Sequence, residues 1–355
     1  MQLPSLSDLA IPAGLLGLGL AGGLAALALD APLPFLLGSL IATAGFAIWR
    51  SIRGGGTLDF PQVLRKTFVA IIGVKIGASF SPEILGILPT LWLSMLGMVA
   101  FAALAQLIGY TLYRRVGGYD RTTALFAAAP GGLIEAVALG EAAGGDPRVL
   151  TIQHFTRIVL VVVSVPFLFF AWSGTTVGSA AGETLGEGPA RVFDLTMIGV
   201  LAVAGLVLGG RLRMPAAHLL GPLLLSAIVH GTGLVTLQSP AWLLNTAQIV
   251  VGTGLGMMFA GAEPRLLARA VVLGGLTLGL MLGLAIAFAF GLAALTPLAV
   301  ETLFVSFAPG GVTEMSLIAL SLQTNPVIVT AHHVFRIVLT ATALGVVARR
   351  LGVRD

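Results

Sequence analysis

Residues 129–135 read Ala-Pro-Gly-Gly-Leu-Ile-Glu, and residues 308–314 read Ala-Pro-Gly-Gly-Val-Thr-Glu. Each stretch interrupts an apolar run. Proline removes a backbone donor and disfavours helix at the residue before it, and paired glycines add freedom to turn. A helix must break at Pro130-Gly131-Gly132 and again at Pro309-Gly310-Gly311. Arms of about eight and about eleven residues flank the first break, and at ~1.5 Å per residue each spans roughly half a hydrocarbon core. Free N–H and C=O groups at that depth are tolerated only against protein or a water-filled cavity. The breaks are either kinks needed for packing or the two sides of a transporter binding site. Their duplication, each with a glutamate three residues on, favours the second reading.

The duplication extends outward from the breaks. At an offset of 179 residues, Pro147, Thr151, His154, Arg157, Ile158, Val159 and Leu160 match Pro326, Thr330, His333, Arg336, Ile337, Val338 and Leu339. In this alignment 13 of the 39 positions from Thr122 to Leu160 are identical. Hydrophobic bias explains shared leucines, but not matched Pro, Glu, His and Arg together. Thr67, Gly73, Gly77 and Phe80 match Thr246, Gly252, Gly256 and Phe259 at the same offset, while Pro32 and Gly38 match Pro215 and Gly221 at a slightly larger one. The chain divides into a first membrane repeat over 1–172, a linker over 173–190 rich in Gly, Ser, Thr and Glu, and a second repeat over 191–355.

Composition places both repeats in lipid. Of 355 residues 57% are hydrophobic and 10% charged, against about 25% charged in a soluble domain. Too few polar groups exist to cover a surface facing water. There is no cysteine, which excludes disulfides and thiolate chemistry. The net charge of +4 comes from arginines at the ends of apolar runs, without the basic stripe and interleaved aromatics of a nucleic-acid binder. No nucleic-acid partner is expected. The expected location is a bacterial inner membrane, crossed many times. The N-terminus has no basic region before its first apolar run, Leu9–Leu29, so that run is expected to persist as a span.

Candidate spans fall near 9–29, 31–49, 67–82, 84–113, 122–143 and 149–171, then 192–210, 214–230, 241–261, 270–296, 302–322 and 327–348. The positive-inside rule puts Arg50, Arg53, Arg65, Lys66, Arg114, Arg115 and Arg121 on the cytoplasmic side. It puts Arg211, Arg213, Arg265, Arg269, Arg349, Arg350 and Arg354 there too. Three crossings between Arg121 and Arg211 would violate this. Two crossings satisfy it, if the 122–143 run enters and turns back. The expected fold is all-α, with five spans and one re-entrant or broken helix per repeat. An odd number of spans inverts the second copy. Twelve full spans in parallel repeats is the alternative.

Several polar side chains are candidates for function. Glu135 and Glu314 follow the glycines by one turn, and an acid in a membrane marks an ion or proton path or a permanent pairing with Arg. His154 with Arg157, and His333 with Arg336, share a helix face. Each Arg, deep in an apolar element, is expected to pair with Glu135 or Glu314, to hold a substrate carboxylate, or to snorkel. Each His either makes a core hydrogen bond or relays protons. Lys75 stands alone in its run and is matched by Gly254. The Gly73/Gly77 and Gly252/Gly256 pairs are helix-packing faces, since no strand precedes them as a phosphate loop requires.

The doubled Ala-Pro-Gly-Gly-x-x-Glu with its later His-x-x-Arg resembles the bacterial AbrB-duplication membrane family, whose members also carry an ammonia monooxygenase label. More distantly the chain resembles the inverted-repeat transporters of the bile acid, arsenite and riboflavin group. The resemblance covers nearly the whole chain and implies a two-repeat inner-membrane protein. Oxygenase chemistry needs clustered metal ligands, which five His, one matched pair among them, do not offer; no enzyme, metal or cofactor is expected. The expectation is a secondary transporter of a small anionic solute, coupled to protons or another ion. Gly131, Gly132, Gly310, Gly311, Arg157 and Arg336 would bind the solute; Glu135, Glu314, His154 and His333 would carry the coupling; Lys75 is a further candidate. The rival readings are a membrane ligand sensor or regulator and a membrane enzyme. An oligomer is compatible with any of these.

Overall fold

The computed structural model describes residues 6–80, 86–173, 191–231, 237 and 239–353. The linker from 174 to 190 and Arg354 lie outside them. The described residues form fourteen α-helices and no strand. The first repeat gives α1 (Leu6–Ala28), α2 (Pro34–Ile52), α3 (Gln62–Ala78), α4 (Trp92–Arg115), α5 (Arg121–Ala127), α6 (Leu133–Ala142) and α7 (Pro147–Ser173). The second gives α8 (Val192–Arg211), α9 (Ala217–Gly231), α10 (Ala241–Gly256), α11 (Pro264–Ala293), α12 (Val300–Phe307), α13 (Val312–Ser321) and α14 (Pro326–Arg350). Gln62 and Ala241, Arg121 and Val300, Leu133 and Val312, and Pro147 and Pro326 each open a helix, every pair 179 residues apart. Among the described residues, eight helices are long and apolar enough to cross a membrane. The chain is a polytopic helical membrane protein.

The turns repeat as faithfully as the helices. Asp30 and Leu33, between α1 and α2, hold left-handed backbone at φ 49° and 47°. Arg213 and Ala216, between α8 and α9, hold the same values. Left-handed backbone disfavours residues with a Cβ, so its recurrence in both copies reflects what the fold requires at that turn.

Two compact units form, and they cut across the repeats. Unit 1 comprises residues 1–82, 166–264 and 320–323, and unit 2 comprises 83–165, 265–319 and 324–355. Each repeat therefore sends its first three helices to unit 1 and its last four chiefly to unit 2.

Glycines set the packing of unit 1. A Cβ on Gly73 would lie 2.6 Å from the Leu219 carbonyl oxygen, and one on Gly77 would overlap that of Leu223. In the other copy Gly252 meets the Leu36 carbonyl and Gly256 that of Leu40. Close backbone approach of this kind is how membrane helices gain contact where water gives no drive. The two interfaces are equivalent by the repeat: α3 packs on α9, and α10 on α2. Register advances together along each, so the paired helices run parallel. By contrast α3 begins where its own copy ends, since Gly254, in the last turn of α10, backs onto Phe60 and Arg65. Within unit 1 the copies thus run in opposite directions, as inverted repeats do.

Unit 2 holds both breaks. In the first repeat the chain turns back on itself after α5. The Asp146 N–H, just past α6, donates to Thr123 Oγ1 at the start of α5 over 2.9 Å. Gly140 of α6 backs onto Phe126 of α5. This is the expected hairpin. Asp146 and Asn325 then cap α7 and α14, accepting from Arg148 and Val149 and from Val327 and Ile328. Pro147 and Pro326 occupy the first helical position, where the missing N–H costs nothing. An aromatic cluster fills part of the core, with Phe101 (α4) edge-on to both Phe288 (α11) and Phe307 (α12), which stack on each other.

Candidate functional site

The last carbonyls of a half-helix have no partner within it. At the end of α5 they find one in α7. His154 Nε2 bonds the Phe126 carbonyl at 3.0 Å, and Arg157 donates to the Ala129 carbonyl at 2.6 Å. The second repeat reproduces these bonds at the same spacing of 28 residues. His333 Nε2 bonds the Val305 carbonyl at 3.0 Å, and Arg336 donates to the Ala308 carbonyl at 2.7 Å. Arg336 also donates to the Gly310 carbonyl at 2.7 Å. All four side chains are buried.

These partners fix the imidazole tautomers. A carbonyl only accepts, so Nε2 carries the proton in both His154 and His333. Nδ1 then accepts from the guanidinium, at 3.2 Å from Arg157 and 2.8 Å from Arg336. A second proton on Nδ1 would face the guanidinium N–H groups. The geometry makes each His a brace for its Arg, where the sequence left a relay open. It likewise gives both Arg residues backbone carbonyls as partners, acceptors that the sequence did not suggest. A break that strands carbonyls supplies such acceptors locally, and motif spacing alone does not reveal it.

Arg157 and Arg336 each lie ten residues into a long helix, about 15 Å along it. The two guanidinium groups are near enough to repel each other. Each retains a buried Nε donor with no partner, and the hydroxyls of Thr156 and Thr340 are likewise unmatched. Gly131 packs against α14 beside them, a Cβ there standing 3.5 Å from the Arg336 carbonyl and from Thr340 Oγ1.

The second arms, α6 and α13, open at the breaks with their N-terminal ends, the positive pole of a helix. Gly132 takes φ +65°, a left-handed conformation that suits glycine. Glu135 folds back over it, with Oε2 3.2 Å from where a Cβ would stand. Glu314 folds over Gly311 in the same way. A first-turn carboxylate complements the helix dipole. Glu314 is 4% exposed, whereas Glu135 is half-buried.

Eleven sequence candidates meet two fates. Gly131, Gly132, Gly310, Gly311, Glu135, Glu314, His154, His333, Arg157 and Arg336 all belong to unit 2. Lys75 belongs to unit 1, where it is buried and lines a small pocket with Ile71, Val74, Ile198 and Ser239. Its counterpart Gly254 leaves room for Arg65. Sequence reasoning missed Thr156, Thr340 and the pair Ser94 and His332; the doubled His332-His333 was the available hint. Among the described residues no three His, Asp or Glu converge as a metal-binding group.

A sequence model of the family described as "Transition state regulatory protein AbrB" matches residues 35–352. The chain is 30% identical over 293 residues to "Uncharacterized protein YhjN" of Bacillus subtilis (strain 168), spanning 77% of this chain and 75% of that protein. It is 26% identical over 326 residues to "Putative regulator AbrB" of Escherichia coli (strain K12), spanning 90% of each.

Proposed function

We propose that this chain, which belongs to the AbrB family, is a secondary transporter of the bacterial inner membrane. It moves a small anionic solute, coupled to protons or another ion, through a site at its two interrupted helices. One observation carries the reading: two buried arginines at the breaks repel each other and keep unmatched Nε donors. An anion between them would offset that repulsion and accept from those donors. The positive ends of α6 and α13 add to the attraction. Glu135 and Glu314, at those ends, would take and release the coupling proton or ion. His154 and His333 would hold the arginines in place.

Uptake by proteoliposomes under an imposed pH gradient tests this. The expected result is accumulation of one or more organic anions that Arg336→Gln abolishes. No flux across a broad anion panel would sink the proposal. A second reading has the name of the Escherichia coli relative in its favour: a membrane regulator that senses a ligand without moving it. Ligand-dependent thermal stability without flux would select it.

A further inference from the structure

Unit 2 contains a third buried histidine, His332, and its surroundings differ from those of His154 and His333. Its Nδ1 lies 2.9 Å from the Ile328 carbonyl, and its Nε2 lies 2.9 Å from Ser94 Oγ. Ser94 Oγ in turn lies 2.9 Å from the Leu91 carbonyl. Both side chains are fully enclosed.

The proton inventory of this chain has two complete solutions. A carbonyl fixes a proton on Nδ1 in either case. In the neutral state the Ser94 hydroxyl donates to Nε2. In the charged state Nε2 has gained a proton and donates to Ser94 Oγ, while the hydroxyl hydrogen swings to the Leu91 carbonyl. Every donor then has an acceptor, which a buried cation requires. Release of the proton reverses both movements. His154 and His333 have no such second solution, because an arginine donor faces their free nitrogen.

The groups around His332 leave this equilibrium open. From α4 it meets the Ser94 hydroxyl, and from α12 the Phe307 ring, with centroids 6.0 Å apart. On its own helix the nearest titratable groups are neutral His333 and, one turn on, Arg336; α13, joined to α14 by Ser316 and Thr330, carries Glu314 in its first turn. Helix α6, which carries Glu135 and Glu141, approaches α14 farther along, where Gly132 nears Ile337 and Ala341. The first repeat has Gln153 at the equivalent position, donating to the Tyr119 hydroxyl. An amide cannot titrate in this range, so the device belongs to one repeat only.

We propose that His332 is a proton-binding site switched by Ser94, and that it contributes a coupling proton in addition to the two glutamates. Its part in coupling rests on the transport reading; the protonation does not. Magnetic resonance of isotope-labelled histidine in the purified protein reads the second directly. As pH falls, one imidazole is expected to pass from the neutral Nδ1–H form to the cation. His332→Gln removes that transition and Ser94→Ala moves it to lower pH. The resonances of His154 and His333 keep the Nε2–H form. In proteoliposomes His332→Gln is expected to retain solute exchange and to lose accumulation driven by a pH gradient. A His332 ring that stays neutral until the protein unfolds, or a transition unmoved by Ser94→Ala, overturns the proton site. Unchanged gradient-driven accumulation in His332→Gln overturns its role in coupling. Wild-type protein without any flux counts against transport instead, and the ring resonances still decide the proton site.

Discussion

The two breaks share a frame and differ at its edges. In both, a His-x-x-Arg pair on a long helix binds the stranded carbonyls of a half-helix, at the same spacing of 28 residues. Around that frame the partners diverge. Arg336 reaches three acceptors, two carbonyls and His333, whereas Arg157 reaches one carbonyl and His154. Glu314 is buried and Glu135 half-buried. Gln153 meets Tyr119, whose ring lies under Arg269, while its counterpart His332 meets Ser94. The shared part is what a broken helix needs to exist inside a bilayer. The divergent part is free to do chemistry, and on the transport reading proposed above it would make the two directions of passage unequal.

Removing the arginines has the largest expected effect. Arg336→Ala leaves the Gly310 carbonyl and the Nδ1 of His333 unpaired, at about 1–3 kcal/mol for each buried group, and takes one donor from the Ala308 carbonyl, which keeps the Gly310 N–H at 2.8 Å. Arg157→Ala leaves as many groups unpaired, the Ala129 carbonyl and the Nδ1 of His154, but breaks one hydrogen bond fewer, so it should cost about 1 kcal/mol less. Denaturant unfolding in detergent measures both. Because each guanidinium repels the other, each single removal also relieves that repulsion, so the double variant should lose more than the sum of the single losses. Equal single losses would mean that the third acceptor contributes nothing.

A smaller test compares the glycines. Gly132 is left-handed and Gly311 is not among the positive-φ residues. Gly132→Ala should therefore lose about 1–2 kcal/mol to backbone strain. Gly311→Ala should lose less, since its new Cβ meets only the far end of the Glu314 side chain, which can change rotamer. If Gly311→Ala proves the costlier, the Glu314 carboxylate is held far more rigidly than its place in the first turn implies.

The breaks and the duplication were legible because proline and glycine act on the backbone next to them. Matched Pro, Glu, His and Arg survive hydrophobic drift that erases shared leucines. Inversion followed from counting crossings between arginine anchors. The arginine partners were not legible, since carbonyl acceptors have no letter in a sequence. Nor was the sorting of helices into two units: Gly73 and Gly252 announce close packing without saying that each faces the opposite repeat. Ser94 and His332 are 238 residues apart, and Ser94 stands opposite Leu273 in the alignment, so no repeat signal marks their meeting.

The smallest expected effect lies at the entry to the first hairpin. Asp120 caps α5, its carboxylate accepting from the Thr123 N–H at 2.9 Å, whereas Ala299 opens α12 with no side-chain cap. Partial burial pushes the Asp120 carboxyl up, but bonds from the Thr123 side chain and from backbone N–H groups outweigh it. They hold the group below the usual aspartate range. A depressed folded value means that the contribution is present above the unfolded pKa and fades as pH falls through the folded one. Asp120→Ala, which makes the first entry resemble the second, should cost about 1 kcal/mol at neutral pH. That difference should shrink below about pH 4, where the wild-type carboxylate begins to take up its proton. Unfolding of both proteins across that range decides it. A difference that stays constant into acid would mean that helix propensity, and not the carboxylate cap, separates the two half-helices.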